Sequence, residues 1–266
     1  MDRDFFYKNR EQANGDTIQP DLDFFQMIKY HTKGEYNINE GSVEIIKDKL
    51  YFVSSDTAPL SNEDSYYFKT DDLVELEYEP FNKDFGPLKL SMVHRYCWEL
   101  VRLLQDKEYH TNKIYHYCSE TYDKQANGAC LMGWFMIIIL RKTADEAWYA
   151  LKPYHKRLVW YRDSSSGPDS YKLSIYDILA GLERAISLKW YDFKTFDVHE
   201  YEYYEKVENG DLNWIIPDKF IALMGPSGKS FDRSGNEQHT PEDYEPLFKA
   251  LNVERIIRLN KPCYNK

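Results

Sequence analysis

The stretch KIYHYCSETYDKQANGACLMGWFMIIILR, residues 113–141, is the part of the chain from which the fold can be read. Its first six residues, 113–118, are β-prone and bounded by polar positions, which predicts a short strand. From 125 to 141 the chain is apolar nearly all round, the pattern of a helix enclosed by other elements. Strand, polar turn and central helix in that order are one step of an α/β fold. The apolar run 129–140 is too short to cross a bilayer and reads as core.

Toward the N-terminus, Val93, Cys97, Leu100 and Leu104 recur at three- and four-residue spacing, which predicts a helix with one buried stripe. Pro87 suits the first position of that helix, where its missing N–H costs little. Residues 81–87 read as a turn, preceded by a strand over 73–78 and, before that, a loop. Further back, Val43-Glu44-Ile45-Ile46 and Leu50-Tyr51-Phe52-Val53 read as strands around a Lys47-Asp48-Lys49 turn. Residues 1–41 are polar and broken by Gly15, Pro20, Gly34 and Gly41. They read as a partly ordered lead-in with one packable segment, 22–28, a short docking helix.

Toward the C-terminus, Thr143 caps a helix that carries Asp145 and Glu146 in its first turn, where the helix dipole favours them. Helices are expected over 171–188 and 196–207. After Asn209-Gly210 the texture changes to a strand at 220–224, a helix at 241–251 started by Thr240, and a strand at 253–259. That order suggests a second parallel α/β unit. A unit this small cannot cover both faces of a parallel sheet, so it is expected to be incomplete.

Of 266 residues, 42% are hydrophobic and 29% charged, which suits a globular domain with a sizeable core. Aromatics reach 16%, including 23 Tyr, so much of that core consists of rings whose polar tips need partners. The net charge of −10 argues against nucleic acid as the partner and favours basic peptides. Four scattered cysteines without a CxxC pair point to reduced, buried thiols and a cytosolic or nuclear compartment. Residues 1–4 lack the features of a signal peptide, and no membrane segment is expected.

Three stretches bear on chemistry. Gly225-Pro226-Ser227-Gly228-Lys229-Ser230 resembles a phosphate-binding loop, but Leu223 stands where its first glycine belongs and Pro226 removes an N–H donor. Cys118 ends a strand before a helix, the place where a thiolate phosphatase holds its nucleophile. The loop that follows, Ser119-Glu120-Thr121-Tyr122-Asp123-Lys124, has no glycine and ends on lysine where a bidentate arginine is required. No other cysteine has an arginine six positions later, so no catalytic residue is assigned. His116 with Cys118 lacks further metal ligands, and neither a metal nor a cofactor is expected. The third stretch is the acidic run 197–211, with six acids against one lysine. Within it Glu205 and Glu208 share a face on a helix. A solvated surface is the ordinary explanation of such a run. Its position at the expected junction of two units, and its charge density, suit a Lys or Arg of a bound peptide.

Several of these segments resemble one family. Phe81-Asn82-Lys83-Asp84-Phe85-Gly86-Pro87-Leu88 looks like its entry into a first long helix. His116-Tyr117 with Ala126-Asn127 is similar to its degenerate first-domain loop. Val207-Glu208-Asn209-Gly210-Asp211-Leu212-Asn213-Trp214-Ile215-Ile216-Pro217 is nearly its inter-domain signature, and Arg258-Leu259-Asn260-Lys261 is similar to the strand that follows. The family is the mitotic-exit dual-specificity protein phosphatases of the Cdc-fourteen type, and the resemblance covers roughly residues 43–266. It implies an α/β, dual-specificity phosphatase-like fold: a lead-in over 1–41, a non-catalytic domain over 42–195, an acidic linker helix over 196–215, and the start of a catalytic domain over 216–266. It also implies an acidic groove of Glu205, Glu208 and Asp211, which binds phosphoproteins with Lys or Arg after phosphoserine-proline. Placement in nucleus and cytoplasm, at spindle or centrosome, follows from the same resemblance, as does cell-cycle work. The expected function is the substrate-recognition part of such a phosphatase, without the cysteine loop. The alternative is a stand-alone pseudophosphatase module that binds basic phosphoproteins, forms a homodimer or pairs with a full-length relative.

Overall fold

The computed structural model describes residues 36–37, 41–57, 64–70, 76–164, 167–169, 171–231, 235, 238–259, 262 and 264. The chain divides into two compact units, 1–184 and 185–266. The expected docking helix at 22–28 lies outside the described residues.

In the first unit, strands β1 Tyr36–Asn37, β2 Ser42–Ile46, β3 Leu50–Ser54, β4 Ser65–Lys69 and β5 Lys113–Cys118 form one mixed sheet in the order β1-β2-β3-β5-β4. β3, β5 and β4 run parallel, while β1 and β2 add an antiparallel edge. The α/β reading therefore stands, and ordered structure begins before Ser42, because Tyr36–Asn37 pairs with β2.

One strand is displaced from its expected place. The strand next to β5 is β4, in the stretch read as a loop. Of the segment expected as a strand, 73–75 lies outside the described residues, and Leu76, Glu77 and Tyr78 are in no strand. Alternating apolar and acidic residues there imitate a half-buried strand. In β4, Tyr67 and Phe68 point to opposite faces and meet partners on both, and those cross-strand contacts decide the pairing. Phe52, His116 and Phe68 line up in register on one face, with ring centroids 5.2 Å and 6.1 Å from the histidine. Tyr51, Tyr115 and Tyr67 stack on the other, at 4.8 Å and 5.1 Å.

Among the described residues, four helices belong to this part of the chain: α1 Leu90–Gln105, α2 Tyr122–Ile138, α3 Ala144–Ala150 and α4 Ile175–Ser187, the last running across the division between units. The stripe of α1 is buried as its spacing requires, at Val93, Cys97, Leu100 and Leu104. The helix starts at Leu90, with Lys89 as its N-cap, so Pro87 precedes it rather than opening it. α2 begins and ends earlier than its apolar run and is buried from Gln125 to Ile138. Arg141, at φ 56°, lies beyond its end in the left-handed region that closes helices. Thr143 forms a full capping box with Glu146. Leu173 bridges to Tyr161, and α4 starts after it.

The second unit contains α5 Val198–Glu205, β6 Leu212–Ile216, β7 Phe220–Leu223 and α6 Pro241–Ala250. The helix expected over 196–215 stops at Glu205. Gly210 at φ 118° and Asp211 at φ 46° reverse the chain into a strand. β6 and β7 form an antiparallel hairpin, because the short turn at Pro217-Asp218-Lys219 leaves no room for a crossover. Residues 253–259 form no strand, so the expected parallel strand–helix–strand unit is absent among the described residues. α6 keeps its expected Thr240 start, with a capping box to Asp243.

Candidate functional site

The turn after β5 is the place to test for thiolate chemistry, and the chain's own groups fill it. Cys118 is fully buried. Its Sγ stands so close to α2 that a Cβ on Gly128 would lie 2.8 Å away. The Cys118 carbonyl accepts the Ser55 N–H at 2.9 Å. The Ser119 carbonyl accepts the Ser54 hydroxyl at 3.1 Å, and that hydroxyl in turn accepts from buried Gln125 at 2.8 Å. The Glu120 N–H, which an anion cradle would point at its ligand, donates to the Asp56 carboxylate at 2.9 Å. Arg157 reaches Glu120 at 3.6 Å and neutralises part of the charge. The arrangement is a tied connection around a buried thiol.

His116 is spent on structure as well. Its Nδ1 lies 2.7 Å from the Tyr96 hydroxyl and its Nε2 3.2 Å from Thr70 Oγ1, all of them buried. Desolvation lowers its pKa to about 3, so the ring is neutral. Neither ring nitrogen is left for a metal, and no group of three or more metal-ligating side chains occurs among the described residues. Cys97 and Cys130 are free and buried, and burial pushes the Cys130 thiol up to about 12. Cys263 lies outside the described residues. In the glycine-rich stretch, Ser227 N–H donates to the His239 carbonyl at 2.8 Å, and among the described residues the next helix starts only at Pro241, so none of them backs the loop with a helix N-terminus.

Beside the tied turn, a cleft of about 350 Å³ opens at the carboxyl ends of β4 and β5, a usual place for ligands in α/β folds. Leu76, Glu77, Tyr78, Asp84 and Phe85 form one wall, and Tyr122, Lys124, Asn127 and Gly128 of α2 face them. Lys124 pairs with Glu77 at 3.0 Å. The Tyr78 hydroxyl donates to Asp84, and with the Asn82 N–H it lowers that carboxyl to about 2. Sequence reading missed this cleft because its first wall comes from the segment taken for a strand. The available signal was the pair Tyr78 and Asp84, six residues apart around a turn.

Asp197 caps α5, accepting from the N–H groups of His199 and Glu200 at 2.9 Å each. Glu205 is the last residue of α5, Lys206 is extended, and Glu208 lies on a separate 3₁₀ turn, Val207–Asn209. The shared face inferred from a continuous helix therefore does not apply. A tight reversal keeps these residues near one another instead. Asp211 N–H donates to the Lys206 carbonyl at 3.0 Å, and Tyr244 of α6 holds the Gly210 carbonyl at 2.8 Å. Gly210 is required there: at φ 118° it avoids the left-handed penalty, and a Cβ would meet Leu247 at 2.7 Å. Glu205 is the last residue of α5, at the helix end where negative charge is unfavourable by about 0.3–1 kcal/mol. Carboxylates in that position raise the local negative potential, which suits the capture of a cation.

Residues 44–185, more than half the chain, match the family model described as dual specificity protein phosphatase, N-terminal half. Dual specificity protein phosphatase CDC14A of Homo sapiens is 44% identical over 229 residues, which is 84% of this chain and 38% of that protein. Dual specificity protein phosphatase CDC14B of Mus musculus is 41% identical over 220 residues, 83% of this chain and 45% of that protein. Tyrosine-protein phosphatase cdc-14 of Caenorhabditis elegans is 33% identical over 250 residues, 90% of this chain and 35% of that protein. The chain thus spans less than half the length of each of these relatives.

Proposed function

This chain belongs to the CDC14-type dual-specificity protein phosphatases, and we propose that it is the substrate-recognition part of such an enzyme, binding phosphoproteins through basic residues near the phosphorylated site. The observation that carries the reading is a contrast of charge and closure. The loop that would hold a phosphate after Cys118 is occupied by Asp56 and Ser54. Glu205, Glu208 and Asp211, by contrast, are presented on a braced turn at a helix C-terminus. Recognition by this chain therefore follows the basic residue of the substrate more than its phosphate. Hydrolysis needs a cysteine–arginine loop, and these 266 residues contain no cysteine followed six positions later by arginine. Nuclear and spindle or centrosome placement belongs to the same proposal and is checked by imaging a tagged full-length protein.

The test is fluorescence anisotropy with a labelled phosphoserine-proline peptide carrying arginine downstream. The double variant Glu205→Lys/Glu208→Lys is expected to weaken binding at least ~100-fold, since two charge-assisted contacts are worth about 1.5–3 kcal/mol each. Replacing the arginine of the peptide by citrulline is expected to act in the same direction. Unchanged affinity in both would reduce the acidic run to surface. Incubation of the chain with an aryl phosphate is expected to give no turnover; a rate abolished by Cys118→Ser would overturn the recognition-only reading.

A further inference from the structure

The cleft of the first unit is not used by the function proposed above, yet its lining is specific. Asn127 is more than nine-tenths buried, and its Oδ1 accepts from Tyr161 at 3.0 Å. Its NH₂ group has no partner among the described residues. It is not one of the enclosed polar atoms lacking partners, which are in Gln105, Trp134 and Arg162, so it keeps access to the cleft that Asn127 lines. Tyr122, Asp123 and Lys124, the first residues of α2, line the same cleft, and Thr121 offers their N–H groups no side-chain cap. Glu77, Asp84 and Asp123 bring three carboxylates to the same lining, together with the rings of Tyr78, Phe85 and Tyr122.

A helix N-terminus with a lysine would ordinarily suit an anion. Here Asp123 occupies the first turn, and the ammonium of Lys124 is already paired with Glu77, so three carboxylates outnumber one cation. A dianion is repelled. A ligand that needs acceptors for its cation and also offers carbonyl oxygens to the donors satisfies both halves of the lining. Aromatic rings beside the carboxylates add cation–π attraction. Main-chain carbonyls with a basic side chain are what an extended peptide supplies.

We propose that this cleft docks an arginine or lysine side chain of an extended peptide, with Glu77, Asp84 and Asp123 taking the cation and the Asn127 amide taking a main-chain carbonyl. The site is distinct in residues from the acidic turn at 205–211 and does not depend on the role of that turn. It gives the chain a second anchor for a basic segment.

The experiment is a ¹H–¹⁵N titration of the full chain with acetyl-Gly-Arg-Gly-amide, with the citrulline counterpart and inorganic phosphate as comparisons. The expected result is saturable movement of the Tyr122, Asp123 and Lys124 amides and of the Asn127 side-chain NH₂, at least ~10-fold weaker with citrulline. Glu77→Gln/Asp84→Asn is expected to abolish these shifts. Because Asp84 also ties the 82–84 turn, Tyr122→Ala, at a position 66% exposed, provides a second variant that leaves the fold intact and weakens binding. Equal response to citrulline, a stronger response to phosphate at the same resonances, or no movement of the cleft resonances would each overturn the assignment. Movement confined to residues 205–211 would overturn it while leaving the acidic-turn reading in place.

Discussion

Replacing His116 with alanine is expected to cost about 4 kcal/mol or more and to lower the unfolding midpoint by ten degrees or so, the change for a unit this large. Two losses combine. The imidazole fills the space between Phe52, Phe68 and Tyr96, so its removal opens a cavity under the centre of the sheet. It also takes away the partner of the Tyr96 hydroxyl, which is buried and has no solvent to replace it. The ring also makes stability depend on pH. Its folded pKa is lowered to about 3, below the ordinary value of 6.5, so the stability it contributes is fully present above 6.5. Between 6.5 and about 3 the unfolded chain binds a proton that the folded chain refuses. This term therefore lowers stability as pH falls, by up to about 1.4 kcal/mol per pH unit. His116→Gln keeps polar capacity without that titration. Denaturant unfolding of both proteins from pH 7 to pH 4 is expected to show a shallower fall for the variant; parallel curves would show that other groups set the acid sensitivity.

Gly128→Leu is the second change expected to be severe, at about 3 kcal/mol or more. Gly128 sits on the fully buried face of α2 where the helix presses on the end of β5, and even a Cβ would meet Cys118 at 2.8 and 3.2 Å and Phe52 at 3.4 Å. A leucine must push the helix off the sheet or force its neighbours out of their rotamers. Gly128→Ala separates the two terms. Its helix preference gains about 1 kcal/mol while its methyl overlaps the buried Cys118 sulfur at 2.8 Å, so it is expected to fall between the parent and the leucine variant. Urea denaturation compares them. Equal stability of the leucine variant would mean that α2 and β5 are not held as closely as these distances imply.

Both variants act around Phe52 of β3, which His116 meets from β5 and Gly128 from α2, and the chain shows this place unevenly. The run 125–141 is legible because a helix enclosed on all sides has to be apolar on all sides, a property of composition that survives without coordinates. The stripe of α1 and the Thr143 cap are legible for similar local reasons: three- and four-residue spacing, and a hydroxyl three residues before a glutamate. The same local signals misplace β4, because Leu73 to Tyr78 carries strand-like alternation while the true edge strand is chosen by rings across the sheet. They also extend α5 too far, since nothing in the acid-rich composition reveals that Gly210 and Asp211 adopt positive φ.

The sites divide in the same way. That no cysteine here is followed by the arginine of a phosphate loop is a fact of spacing and needs no structure. The acidic residues at 205, 208 and 211 are legible too, as charge density around a recognisable motif. Their support is not: the braced turn depends on Tyr244 and Leu247, more than thirty residues onward. The cleft is wholly tertiary, assembled from the 76–85 segment and the first turns of α2, which are remote in sequence. By itself, then, the sequence determined the α/β class, the central helix, the missing cysteine–arginine loop and the sign of the charge, because spacing and composition act locally along the chain. Only the tertiary structure decided which strand borders β5, that Asp56 and Ser54 close the Cys118 turn, and that Asn127 lines one cleft with Glu77 and Asp84. Those outcomes depend on contacts between residues far apart in sequence, and the contacts exist only once the core has formed.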